Sequence, residues 1–211
     1  GASSQAFVSQ TSGNIAVTTG SLDCDGNLGV GNHCFDVSNT TSSGVTFASI
    51  LSDHDDGGEF GGAIFLNNTP GAFTFQSFAR MTGFNTIIVQ ATNFGTLNVG
   101  TVTPGIIALN GATAVNLNTG ALNFNAESVS AFSGAANGIV IQNTTGSFTV
   151  NGTGVAGSGG TISNTTTHGA DLINTTNITL RYMNFTNATT VDAVPVSGAL
   201  STGNNLPENA P

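Results

Sequence analysis

The sequence predicts an all-β chain coiled as a parallel β-helix, on three observations. First, the composition couples abundant β-formers to turn-formers. Fourteen Phe and many Ile, Val and Thr are separated by Gly, Asn and Ser, with few strong helix-formers. Second, one short phrase recurs: Gly62-Ala-Ile-Phe-Leu-Asn67, Gly105-Ile-Ile-Ala-Leu-Asn110, Gly138-Ile-Val-Ile-Gln-Asn143 and Gly169-Ala-Asp-Leu-Ile-Asn174, with a looser copy in Asn85-Thr-Ile-Ile-Val-Gln90. Third, short alternating strands lie between the phrases, among them Phe73-Thr-Phe75, Leu97-Asn-Val99, Leu122-Asn-Phe124 and Phe148-Thr-Val150. A strand phrase that recurs with turns between is the mark of a solenoid, in which one rung buries its apolar face only by stacking on the next.

The elements follow in chain order. Residues 1–43 are less regular and read as an N-terminal cap over the first rung, with strand-like Ala6-Phe-Val-Ser and Asn14-Ile-Ala-Val-Thr ahead of a Cys loop. Residues 44–190 read as the helical repeat. The phrase starts are unevenly spaced, so the rungs carry loops of varied length. Only Ser49 to Asp56 and Phe75 to Met81 look able to form a turn of helix. From Val191 the composition changes. Pro195, Pro207 and Pro211 interrupt a Gly- and Asn-rich stretch, so 191–211 reads as an extended C-terminal tail.

Charge excludes several functions. The chain has 211 residues, of which 6% are charged, and its two cations, Arg80 and Arg181, face eleven carboxylates for a net charge of -9. Nucleic-acid binding needs Lys and Arg against phosphate, so it is not expected. A lyase acting on a polyanion is disfavoured on the same ground. The chain is 38% hydrophobic, which sets it apart from disordered sequences. No apolar run reaches the length of a membrane span, and no signal peptide is visible.

Cys24 and Cys34 bracket a short Gly-rich loop. A disulfide is the preferred reading and fits an exported protein. A zinc site built from His33 and both thiolates, or two buried free thiols, are the alternatives.

The segment 138–187 carries Gly-Ile-Val-Ile-Gln-Asn-Thr-Thr-Gly-Ser-Phe-Thr-Val, then Gly-Ser-Gly-Gly-Thr-Ile-Ser-Asn-Thr-Thr, then Asn-Thr-Thr-Asn-Ile-Thr-Leu-Arg-Tyr-Met-Asn-Phe-Thr. This resembles the repeats of large secreted bacterial proteins of the pectate-lyase-like superfamily, of the adhesin and autotransporter-passenger type. The resemblance covers about 44–190 and implies a right-handed parallel β-helix. It implies little about activity, because the fold hosts lyases, hydrolases, adhesins and fibres. None of the enzymatic motifs is visible, so no catalytic residue is assigned.

The phrase-final Asn has a physical reading. Asn tolerates left-handed backbone, and Asn67, Asn110, Asn143 and Asn174, joined by Gln90, are expected to stack as an amide ladder at one corner. Phe65, Phe73, Phe75, Phe124 and Phe148 are expected to fill the interior. Asp53, Asp55, Asp56 and Glu59 form the one dense acidic cluster and can supply oxygen ligands to Ca²⁺, although a solvated loop is the preferred reading of them; no other cofactor is expected. Glu127 and Asp171, with His168 beside the latter, are the remaining carboxylates a hydrolase would draw on. Among the Asn-x-Ser/Thr sequons, Asn39, Asn151 and Asn164 fall in predicted turns and are read as the better glycosylation acceptors.

The expected function is that of a non-catalytic extracellular or cell-surface structural subunit that self-associates into a fibre or layer. An adhesin fragment binding glycans or a host surface is the alternative. A carbohydrate-active hydrolase and an ice-binding Thr face rank lower.

Overall fold

The computed structural model describes residues 5–11, 13–41, 43–54, 59–132 and 134–186. The expected tail, 191–211, lies outside the described residues. The described residues form fifteen strands: β1 (Phe7–Gln10), β2 (Ile15–Val17), β3 (Ser21–Asp25), β4 (His33–Ser38), β5 (Ser43–Asp53), β6 (Gly62–Phe84), β7 (Val89–Thr103), β8 (Ile106–Asn110), β9 (Val115–Ala126), β10 (Ser128–Phe132), β11 (Asn137–Val150), β12 (Thr161–Ser163), β13 (His168–Thr175), β14 (Ile178–Leu180) and β15 (Asn184–Thr186). The described residues contain no helix. Of the two stretches expected to admit a helical turn, 75–81 lies on β6 and 49–53 of the other lies on β5, where strand pairing outweighs local preference; Asp55 and Asp56 lie outside the described residues.

The strands pair in parallel and stack as a β-solenoid of about seven turns. Three faces follow from the register. The first holds β1, β4, the opening residues of β6, β7, β9 and β11, and β13. The second holds β2, the start of β5, the middle of β6, the later parts of β7, β9 and β11, and β14. The third holds β3, the ends of β5 and β6, then β8, β10, β12 and β15. The segment read as a cap is built from the same rungs: β1 pairs with β4, and β2 and β3 pair with β5.

Each face buries every second residue, so the core is a set of columns along the axis. On the first face one column is Phe7, Phe35, Ile64, Val89, Val115, Ile139 and Ala170, fully buried from Phe35 onward. On the second face Phe47, Phe75, Val99, Phe124, Phe148 and Ile178 align. Phe47 stacks on Phe75 with centroids 5.9 Å apart, and Phe124 on Phe148 at 4.9 Å. Burial of each such ring stabilises by about 1.5–3 kcal/mol, and aromatic pairing adds about 0.5–1.5 kcal/mol.

The recurring phrases do not all share a register. Ile139, second in its phrase, aligns through Val115 and Val89 with Ile64, third in its own. The copy ending at Asn110 is β8, which lies on the third face between Arg80–Phe84 and β10. Phe65 also departs from expectation. It faces outward between Asp36 and Gln90, because its neighbours Ile64 and Leu66 take the interior positions.

Candidate functional site

The corner between the first and second faces is a column of left-handed residues: Thr11, Asn39, Asn68, Asn93, Thr119, Asn143 and Asn174, with φ between 47° and 62°. Asn is the non-Gly residue best suited to that backbone. Its amide then reaches the next rung. Asn68 Nδ2 donates to Asn39 Oδ1 at 3.2 Å and Asn93 Nδ2 to Asn68 Oδ1 at 2.8 Å. A second run has Asn143 Nδ2 donating to Asn118 Oδ1 at 3.3 Å and Asn174 Nδ2 to Asn143 Oδ1 at 3.1 Å. Where Thr119 holds the corner, its hydroxyl donates to Asn118 at 2.9 Å.

Asn143 and Asn174 therefore meet, whereas Asn67 and Asn110 belong elsewhere. Asn67 precedes the corner and pairs with Ser38 and Thr92. Asn110 sits between Phe84 and Phe132 on the third face. Gln90 lies on the first face between Phe65 and Asn116. The missed members, Asn68 and Asn93, each follow a polar residue, and that doublet marks the corner better than a fixed distance from Gly.

The N-terminal end gathers the chain's unusual groups. Cys24 and Cys34 form a disulfide with Cα atoms 5.8 Å apart, joining β3 to β4. Both sulfurs are consumed in that bond, which removes the thiolates a zinc site would use. His33 and His54 are buried, at 2% and 0% exposure. His33 Nε2 donates to the Ile87 carbonyl at 2.8 Å, and His54 Nδ1 donates to the Gly26 carbonyl at 2.6 Å. The other nitrogen of each ring, His33 Nδ1 and His54 Nε2, is buried without a partner. Desolvation pushes the His33 imidazole down to about 4, against opposing pulls from the Ile87 and Gly31 backbone. Two glycines seat these rings. A Cβ on Gly61 would stand 2.8 Å from His54 Cδ2, and one on Gly62 would stand 2.3 Å from His33 Cδ2.

The acidic cluster is only partly described, since Asp55 and Asp56 lie outside the described residues. Asp53 is ion-paired with Arg80 and accepts the Thr82 hydroxyl at 2.8 Å. Glu59 Oε2 is buried without a hydrogen-bond partner. Among the described residues no group of three or more His, Cys, Asp or Glu side chains is arranged to hold a metal ion.

The carboxylates considered for hydrolysis are apart. Asp171 is on the first face, where Gln142 Nε2 donates to its Oδ2 at 3.1 Å, while Glu127 follows β9 at the corner of the second and third faces. The His168 backbone N–H donates to Asn137 Oδ1 at 3.1 Å. Of the glycosylation candidates, Asn39 is engaged by Asn68, Asn164 is an exposed left-handed turn residue, and Asn151 is half-buried after β11.

No family model matches the chain, and no curated protein or solved structure matches it significantly. No described helix is long and apolar enough to cross a membrane.

Proposed function

We propose that the chain is a non-catalytic extracellular structural subunit that self-associates through the ends of its coil. The observation behind this reading is that, among the described residues, both ends of the solenoid are open. Among the described residues, β1, β2 and β3 each pair with a strand on one side alone, and so do β13, β14 and β15 at the other end. A parallel strand with an unpaired edge offers a row of N–H and C=O groups to another chain. At the first rung Phe7, Ile15 and Val17 are partly buried against the core, and Val8 is 49% exposed, so the edge carries apolar surface as well. Head-to-tail contact of unlike ends generates filaments where the rotation between subunits does not close into a ring. The disulfide suits an oxidising, extracellular setting. The likeness to β-helical adhesins and autotransporter passengers belongs to the same reading. Electron microscopy and sedimentation of the purified chain test it: concentration-dependent filaments or layers are expected, and monomers at every concentration would sink the idea.

A second reading, glycan binding by an adhesin, draws on Phe65. Its ring faces outward in one column with Gln90 and Asn116, an apolar platform beside two amides. A glycan array lacking any hit that Phe65→Ala abolishes would count against it.

A further inference from the structure

We propose that the C-terminal end of the coil is a docking surface for the chain's own residues 187–211, which close it as a terminal rung. The two ends differ in burial. At the first rung Phe7, Ile15 and Val17 are only partly buried, as expected of side chains with a rung on one side alone. At the last rung, β13 and β14 have β11 as their one strand neighbour among the described residues. Their core side chains Ala170, Leu172, Ile178 and Leu180 are nevertheless no more than 2% exposed. Further chain therefore takes the place of the next rung over β13 and β14. The burial exists within one chain, so a second copy is not its source.

The occupant follows from where the described chain stops. Thr186 ends β15 on the third face, paired with Ser163. After Ser163 the chain turns at the left-handed Asn164 and crosses to β13 on the first face. Thr186 is likewise followed by an Asn, so the same crossing leads the residues beyond 187 over β13 and then β14. Phe185 lies on β15, the strand that the continuing chain reaches last, and at 8% exposure it is the most open core side chain of the last rung. Length agrees as well. The sequence supplies 25 residues after Thr186, and the corner residues Asn68 and Asn93 are 25 apart, one full rung.

The residues suit a terminal rung. Val194 and Val196 flank Pro195, so a strand there turns both valines to one side, toward the apolar end. Pro195 has no N–H, and a strand carrying it offers a broken edge to anything stacked beyond. The tail thus covers the core and stops the stack. One consequence rests on the assembly reading above: this end accepts another chain only once 187–211 has left it.

Hydrogen exchange on the full chain as dilute monomer tests the docking. β13 and β14 are expected to exchange about as slowly as β11, and β1 about 10-fold faster. The double variant Val194→Asp/Val196→Asp is expected to keep the coil and to speed exchange in β13 and β14 about 10-fold, with β7 unchanged. Exchange in β13 and β14 as fast as in β1, no response to the double substitution, or protection that vanishes on dilution, the mark of a second copy, would each overturn the proposal. Sedimentation of the same variant reads the consequence for assembly: it is expected to associate at lower concentration than the unsubstituted chain. Equal association by both chains overturns the gating role. Association by neither overturns the assembly reading, while the exchange data continue to decide the docked tail.

Discussion

The imidazole of His33 fills the space where a Cβ on Gly62 would stand, with Cδ2 only 2.3 Å and Nε2 only 2.6 Å from that point. The ring is held there by its hydrogen bond to the Ile87 carbonyl, whose oxygen would itself be 2.5 Å from the added carbon. Gly62→Ala is therefore expected to lower stability by about 1–3 kcal/mol through overpacking. Combining it with His33→Ala should recover part of the loss, because the ring is removed and the carbonyl is not. Urea unfolding midpoints of the two single variants and the double variant check this, and strictly additive effects would contradict it.

The buried His33 also sets a pH dependence. Its folded pKa is about 4 against an ordinary 6.5, so between those values the unfolded chain binds the proton and the folded chain does not. Stability is thus full above about pH 6.5 and falls as pH drops toward 4, by up to roughly 3 kcal/mol. Asp36 acts with the opposite sign. Burial raises its pKa, so the native state takes up that proton first and its contribution falls as pH rises through the carboxylate range. Unfolding at pH 7 and pH 4.5 should show the His33 loss, and His33→Gln should flatten it. A wild-type chain equally stable at both pH values would refute the assignment.

The disulfide closes a short loop between neighbouring rungs. Chain-entropy arguments put its contribution at about 3 kcal/mol. Reduction, or the Cys24→Ser/Cys34→Ser double variant, is expected to lower the thermal midpoint while leaving the far-ultraviolet β signal in place below the transition. A denaturing thiol assay on the untreated chain should find no free sulfhydryl.

At the corner, Asn68 combines a left-handed backbone with amide bonds to two neighbours, while Asn67 beside it does neither. Asn68→Ala is expected to cost about 1–2 kcal/mol, and Asn68→Gly less, since Gly meets no penalty at that φ. Asn67→Ala should stay within about 0.5 kcal/mol. Equal costs at 67 and 68 would show that the ladder contributes nothing.

Much of this fold is legible in the residues. Short alternating runs mark parts of β6, β7, β9 and β11, and Phe73, Phe75 and Phe148 point their rings inward as expected. The loop between Cys24 and Cys34 indicates the disulfide. What escaped was register. The period of two tells which side of a strand a residue faces, but a one-residue shift reverses every side chain. Thus Phe65 points out although Phe73 points in, and Asn67 misses the ladder that Asn68 enters. Rung length varies as well: Asn39 and Asn68 are 29 residues apart, Asn68 and Asn93 are 25, and Asn143 and Asn174 are 31.

By itself the sequence determined that this chain is all-β, repetitive and poor in charged residues, and favoured a crosslink near its start, because composition, alternation and Cys spacing act locally. The tertiary structure alone decided which residues stack. Only the closing of each turn onto the next places Asn68 over Asn39, the ring of His33 against Gly62, and Phe84 and Phe132 in one column on either side of Asn110. Such columns join residues that are far apart in the chain, and the loops at the corners set where each one falls.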